Sequence, residues 1–124
     1  MLILIVEDEK ALSQVLAEKL EKEGFDIITA YNGAEAIPMA KKKKPDLILL
    51  DLLLPKKNGF QVLEELKSDK SMEDIPVIVL SNLDQDEDIK KSIALGAVDY
   101  YVKAQHPLKE IVEKVRNQLV LKKK

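Results

Sequence analysis

Apolar residues along this chain fall into short unbroken runs that alternate with segments of helical spacing. Three runs have the length of a strand: Leu2–Val6, Leu47–Leu50 and Ile75–Leu80. They lack polar alternation, which predicts strands buried on both faces, as in a parallel sheet. Phe25–Ala30 has the mixed character of a strand nearer a sheet edge, and Val98–Lys103 is predicted as the last strand.

The segments between the strands carry apolar residues at helical spacing. The first predicted helix has Leu12, Val15, Leu16 and Leu20 on one face and closes at Gly24. The second covers Ala34–Lys43, where Pro38 is expected to kink the helix or shift its start. The four lysines Lys41–Lys44 are interpreted as its solvated end, where cations suit the helix dipole.

Three further helices are predicted in the second half of the chain. The first of these spans about Gly59–Lys67 and buries Phe60, Leu63 and Leu66. An Asp84–Glu87 capping box is expected to open the next helix, which carries Ile89 and Ile93 and ends at Gly96. Pro107 suits a first helical position. The apolar stripe of the final helix consists of Leu108, Ile111, Val112, Val115 and Leu119.

Strands alternating with helices predict an α/β domain, with helices on both faces of a parallel sheet. For one domain of this length, the pattern favours a flavodoxin-like, doubly wound (βα)5 fold with strand order 2-1-3-4-5. In that order the first and third strands are neighbours, and the topological switch point lies between them. Residues 1–124 are expected to form a single domain.

Composition indicates a globular protein and excludes several kinds of chemistry. The chain is 46% hydrophobic and 34% charged, with a net charge of −2, which gives no support to nucleic-acid binding. It has no cysteine and a single histidine, so thiolate chemistry and multi-histidine metal sites are excluded. Met1 leads directly into a short apolar strand, without a signal peptide or membrane helix, so we expect a cytoplasmic protein.

Polar residues stand where four of the apolar strands end. Glu7 and Asp8 follow the first strand, Asp51 the third, Ser81 the fourth and Lys103 the fifth. In a parallel sheet these positions share one edge, where ligands bind. Three carboxylates in one crevice raise each other's pKa unless a cation joins them. A hard, oxygen-ligated divalent ion fits best, and Mg²⁺ takes carboxylates, waters and a phosphate oxygen.

The remaining polar groups suit a phosphoryl group. The Ser81 hydroxyl can donate to one phosphate oxygen, and the Lys103 ammonium can neutralise another. Asp51 lies centrally, and a carboxylate can act as a nucleophile that forms an acyl phosphate. The sequence therefore predicts Mg²⁺-assisted phosphoryl acceptance at Asp51.

The motifs around these positions resemble the receiver domain of two-component response regulators, over essentially the whole chain. They are Leu2–Glu9, Pro45–Pro55 with Gly59, Val77–Ser81 and Gly96–Lys103. The resemblance implies that Asp51 accepts a phosphoryl group from the phosphohistidine of a sensor histidine kinase or phosphotransfer protein. It also implies that Glu7, Asp8, Asp51 and the backbone carbonyl of Leu53 hold Mg²⁺, while Ser81 and Lys103 bind the phosphoryl oxygens.

The same resemblance implies how the signal leaves the domain. Tyr100 would change rotamer as Ser81 moves toward the phosphoryl group. A downstream protein would read the face made by the fourth helix, last strand and last helix. The chain would then be a stand-alone signalling domain that assists its own phosphorylation and dephosphorylation and is not an enzyme. It would act as a monomer or weak dimer, without contacting nucleic acid or membrane directly.

Three departures from the family pattern affect these expectations. Lys103 is followed by Ala104 where the family has proline, so the bond is expected to be trans, or cis with strain. Asn82 follows Ser81 where a small residue is common, which predicts an altered dephosphorylation rate of unknown sign. Pro38 bears on stability. Tyr101 and His106 are given no chemical role.

The same residues can be compared with three other functions. A flavin- or nucleotide-binding flavodoxin-like protein needs a phosphate loop after the first strand, where this chain has Glu7–Glu9. An aspartyl-phosphate phosphatase needs an acid two residues after the nucleophile, where this chain has Leu53. A receiver-fold scaffold, or an engineered or consensus protein without signalling activity, stays open.

Overall fold

The apolar runs form a single parallel sheet. The computed structural model describes residues 1–123, and the side chains of residues 1–120. Its strands are β1 (Leu2–Val6), β2 (Asp26–Ala30), β3 (Leu47–Leu50), β4 (Val77–Ser81) and β5 (Asp99–Val102). They pair in the order β2-β1-β3-β4-β5, and every pairing is parallel. The predicted fold class and strand order are confirmed.

Five α-helices connect and follow the strands. They are α1 (Lys10–Lys22), α2 (Gly33–Lys43), α3 (Gly59–Ser68), α4 (Asp86–Ala94) and α5 (Leu108–Lys123). A short 3₁₀ helix, Lys103–Gln105, follows β5, so the last strand ends one residue earlier than predicted. The side chains of Lys122–Lys124, a tail expected to be frayed, lie outside the described residues. Within residues 1–123, no helix is both long enough and apolar enough to cross a membrane.

The core lies in two layers, one on each face of the sheet. On one face Leu4, Val6, Ile48 and Leu50 pack against α2 and α3. On the other face Ile3, Ile5, Leu47 and Leu49 pack against α1 and α5. All eight of these strand residues are at most 2% exposed. The absence of polar alternation in the sequence is therefore explained by burial on both sides.

Two predicted core residues are exposed. Val15 is 40% exposed because the buried face of α1 is centred on Ser13, Leu16 and Leu20. Ile93 is 47% exposed, since α4 packs beside the edge strand and its buried residue is Ser92. Helical spacing predicted both helices correctly, but it assigned one exposed residue in each helix to the buried face.

Helix starts differ from the sequence prediction. The Asp84–Glu87 capping box is wrong: α4 has Gln85 as N-cap, and Gln85 makes no capping bond through its side chain. A capping box opens α3 instead, where Asn58 accepts from the Gln61 N–H at 3.0 Å and its own N–H donates to Gln61 Oε1. Pro38 lies inside α2, which begins before it at Gly33, so the proline does not shift the helix start.

We expect Lys44→Gly to stabilise the protein by about 0.5–1 kcal/mol. Lys44 ends α2 in the left-handed region, with φ 49° and ψ 64°, where glycine has no Cβ penalty. Urea unfolding measures the change. Lys42→Gly, inside the same helix, is the control and should destabilise by a similar amount. Destabilisation by both variants would contradict the assignment of strain to Lys44.

Candidate functional site

Two neighbouring strands carry the central carboxylates of the site. Glu7 directly follows β1, and Asp51 directly follows β3. The two strands pair with Val6 opposite Leu50, and the Asp51 N–H donates to the Val6 carbonyl at 3.0 Å. The carboxylates therefore leave the sheet side by side, at the predicted switch point.

Glu7, Asp8 and Asp51 form an acidic cluster at this edge. One carboxylate oxygen from each lies within 4.8 Å of the other two. Glu7 and Asp51 are 2% and 4% exposed, while Asp8 is exposed. A set made only of oxygen donors suits a hard divalent cation. The cluster can therefore hold a metal ion of this class.

Lys103 directly follows the edge strand β5, and its side chain reaches the acidic cluster. Its Nζ lies 2.5 Å from Glu7 Oε1 and 2.8 Å from Asp51 Oδ2. Burial favours the neutral amine, but the hydrogen bonds and charges of Asp51 and Glu7 outweigh burial and raise the pKa of Lys103. Lys103 is thus a charged ammonium that partly neutralises two buried carboxylates.

The pKa of the Glu7 carboxyl group lies close to neutrality. Burial raises the pKa of Glu7 to about 7, and the negative charge of Asp51 adds to the rise. The hydrogen bonds from Lys103 and from the Glu9 N–H oppose it. Near neutral pH both protonation states of this carboxyl group are therefore populated, and a cation bound beside it would compete with that proton.

The second oxygen of Asp51 is held by its own loop. Asp51 Oδ1 accepts from the Leu53 N–H at 3.2 Å. Gly59 lies against this loop, and its N–H donates to the Leu52 carbonyl at 2.9 Å. A Cβ at position 59 would lie 2.4 Å from the Asp51 carbonyl oxygen, so a side chain there would displace the loop. The sequence predicts Gly59 at the start of a helix but does not reveal this close approach to the Asp51 loop.

Ser81 and Tyr100 meet at the loop after β4. Ser81 is fully buried, and its hydroxyl accepts from the Leu83 N–H at 3.5 Å. The Tyr100 hydroxyl donates to the Leu83 carbonyl at 2.5 Å. Burial, then the charges of Asp88, Asp51 and Asp84, raises the pKa of Tyr100 to about 12, while hydrogen bonding to Ser81 opposes the rise. Tyr100 is therefore a neutral donor that ties β5 to this loop.

The structure places the sequence-predicted residues in two groups at one edge. Glu7, Asp8, Asp51 and Lys103 form the charged cluster, while Ser81 and Tyr100 share the β4–α4 loop. The Lys103–Ala104 bond is trans, which decides between the two expected forms. Sequence reasoning missed the Leu83 carbonyl, which no side-chain pattern reveals. The roles of these residues in phosphoryl transfer, and of the Leu53 carbonyl as a ligand, stay predictions.

Known proteins are similar to this chain in sequence and in fold. A family model described as the response regulator receiver domain matches residues 3–116. The alkaline phosphatase synthesis transcriptional regulatory protein PhoP of Bacillus subtilis is 41% identical over 105 residues, covering 85% of this chain and 43% of PhoP. This chain therefore spans about half the length of the curated relatives it matches.

Solved structures agree over nearly the whole chain. The receiver domain of the Francisella response regulator 1452 has a TM-score of 0.88 and 30% identity, covering 99% of this chain and 98% of that one. The phosphorylated cyanobacterial phytochrome response regulator RcpA has a TM-score of 0.78 and 37% identity, covering 94% and 89%.

We expect Glu7→Gln to change how stability depends on pH. The pKa of Glu7 in the folded protein, about 7, lies above the ordinary 4.5, so between these values the folded state binds more protons than the unfolded state. The unfolding free energy contributed by this group therefore falls as pH rises from about 4.5 to about 7. Glu7→Gln should make stability fall less with pH. At pH about 7.5 the variant should be more stable than wild type, because glutamine replaces a buried carboxylate with a neutral amide.

Urea unfolding between pH 5 and 8, without divalent cations, measures this effect. Glu9→Gln removes an exposed carboxylate two residues away and should leave the pH dependence of wild type intact. Superimposable profiles for wild type and Glu7→Gln would show that Glu7 is not the group that titrates.

Proposed function

The chain belongs to the response regulator receiver domain family, and from this premise we propose that Asp51 is its phosphoacceptor in a two-component phosphorelay. One observation carries the proposal: Asp51 is buried at the switch point between an acidic pair and an ammonium. A lone carboxylate in that position would be costly to bury. Together these groups are suited to hold a cation beside a phosphoryl group on Asp51.

The proposed reaction is a transfer from phosphohistidine. A carboxylate oxygen of Asp51 attacks the phosphorus of a phosphohistidine on a sensor kinase or phosphotransfer protein. A P–O bond forms as the P–N bond breaks, and the histidine nitrogen keeps the bonding electron pair. The product on Asp51 is an acyl phosphate. RcpA, 37% identical, supports this because its structure is that of a phosphorylated response regulator.

Glu7, Asp8 and Asp51 would hold Mg²⁺, with the backbone carbonyl of Leu53 as a further ligand. The all-oxygen donor set within 4.8 Å supports this assignment. When bound, the ion neutralises negative charge on the transferring phosphoryl group. Lys103 would exchange its contacts with Glu7 and Asp51 for a phosphoryl oxygen, and the Ser81 hydroxyl would donate to another.

The response would pass from Ser81 to Tyr100. A Ser81 hydroxyl that turns toward the phosphoryl group pulls on the loop that Tyr100 holds through the Leu83 carbonyl. The proposed output face comprises α4, β5 and α5. Ile93 in α4 is 47% exposed and would give this face an apolar contact for a downstream protein. The transcriptional regulation for which PhoP is named is a property of that longer protein.

We expect wild-type protein incubated with acetyl phosphate and Mg²⁺ to gain the mass of one phosphate, because the pocket supplies the nucleophile and the charge neutralisation. Asp51→Asn should gain none, and chelation of the divalent cation should abolish the gain. Intact mass spectrometry measures all three. Asp84→Asn removes an exposed carboxylate outside the cluster and should behave as wild type.

Two results would contradict the proposal. No mass gain in wild type would favour an inert receiver-fold scaffold, and a gain that survives Asp51→Asn would place the acceptor elsewhere. Tight binding of flavin would instead favour the flavodoxin-like alternative.

A further inference from the structure

We propose that His106 is a positioning residue for Lys103. In this view His106 fixes the turn between β5 and α5 and thereby sets where the Lys103 ammonium points. The inference rests on the proposed function, in which Lys103 must reach a phosphoryl oxygen on Asp51. His106 itself touches neither the acidic cluster nor the reacting atoms.

The backbone that carries Lys103 lies between the end of the sheet and the start of the last helix. Sheet pairing ends at Val102, opposite Ser81, and α5 begins at Leu108. The 3₁₀ helix between them starts at Lys103, and its other two residues, Ala104 and Gln105, have exposed side chains. The aim of Lys103 therefore depends on what anchors the end of this turn.

His106 anchors that end on both sides. Its Nδ1 lies 2.9 Å from Glu110 Oε1, in the first turn of α5. Its ring meets the Tyr101 ring edge-on, with centroids 5.2 Å apart and planes at 83°. Tyr101 is buried, and its hydroxyl donates to Asp99 Oδ2. A continuous chain of contacts thus runs from β5 through the imidazole to α5.

Lys103 and His106 line the same pocket beside the turn. This partly open pocket has a volume of about 260 Å³, and its lining residues are Lys103, His106, Leu12, Leu80, Leu108 and Ile111 with Pro107. The imidazole therefore bounds on one side the space that Lys103 also lines. Loss of the imidazole would enlarge the space and release the turn.

The salt bridges of Lys103 do not replace this anchor during the reaction. In the structure Glu7 and Asp51 hold the ammonium. In the proposed reaction the ammonium leaves them for a phosphoryl oxygen, so its position then follows from the backbone. A displacement of about 1 Å in such a group can reduce a rate up to a hundredfold.

The test compares rate constants for Asp51 phosphorylation by acetyl phosphate at saturating Mg²⁺. His106→Ala removes both contacts, and we expect phosphorylation about 3- to 10-fold slower. His106→Phe keeps a ring against Tyr101, and should recover part of the rate. Adding Glu110→Ala to His106→Ala should slow the reaction no further, because the two side chains act through one contact.

Lys109→Ala is the matched control, since Lys109 is exposed and adjoins Glu110 in sequence. It should phosphorylate at the wild-type rate. Urea unfolding must show every variant folded under assay conditions, which separates the rate effect from lost stability. A His106→Ala rate within twofold of wild type, or an equal deficit in Lys109→Ala, would overturn the proposal.

A second readout does not depend on phosphorylation. The NMR signals of the Lys103 Cε methylene, assigned by their loss in Lys103→Met, should show restricted motion in wild type. In His106→Ala they should approach the averaged signals of exposed lysines. Unchanged Lys103 signals would refute the role of His106 even if Asp51 is phosphorylated. Absence of phosphorylation in wild type would instead refute the proposed function. The Lys103 signals would then still test whether His106 restricts the motion of the Lys103 side chain.

Discussion

The structure depends on one charge balance: two buried carboxylates, Glu7 and Asp51, share the single ammonium of Lys103. Burying charge is costly unless partners are close, and here three acids face one cation. Burial raises the pKa of Glu7, and the negative charge of Asp51 adds to the rise. The folded protein is therefore arranged to accept further positive charge at this edge, which is the property that a cation-assisted phosphoacceptor needs.

The apolar sheet makes this balance possible. Adjacent parallel strands β1 and β3 bring their carboxyl ends together. Because both faces of these strands are buried, the acids lie at the edge of the sheet where the strands end. Lys103 arrives from β5, two strands away from β3, so its long side chain must span the end of β4. The Tyr100 hydroxyl crosses the same region to the Leu83 carbonyl. The loop before α4 and the acidic cluster therefore lie at the same edge of the sheet.

Much of this arrangement was predictable because the same residues mark strand ends and chemistry. Asp51 could be placed at the site because it directly follows a run too apolar to be half-exposed. Val15 and Ile93 were misplaced since periodicity gives a helix but not the limits of its buried face. Asp84 and Glu87 have capping-box spacing, yet α4 starts two residues after Asp84, and spacing alone cannot choose the start. His106 has no companion histidine in the sequence, and its edge-on contact with Tyr101 forms only when the turn after β5 brings the imidazole against that strand.

The most direct test is a crystal structure with Mg²⁺ and beryllofluoride, a mimic of a phosphoryl group on a carboxylate. The account predicts beryllium bonded to an Asp51 carboxylate oxygen, the ion beside Asp8 and Asp51, and fluorine atoms contacting Ser81 and Lys103. Lys103 should have left Glu7. Beryllofluoride bound elsewhere, or a Lys103 that still bridges Glu7 and Asp51 with the ligand present, would contradict it.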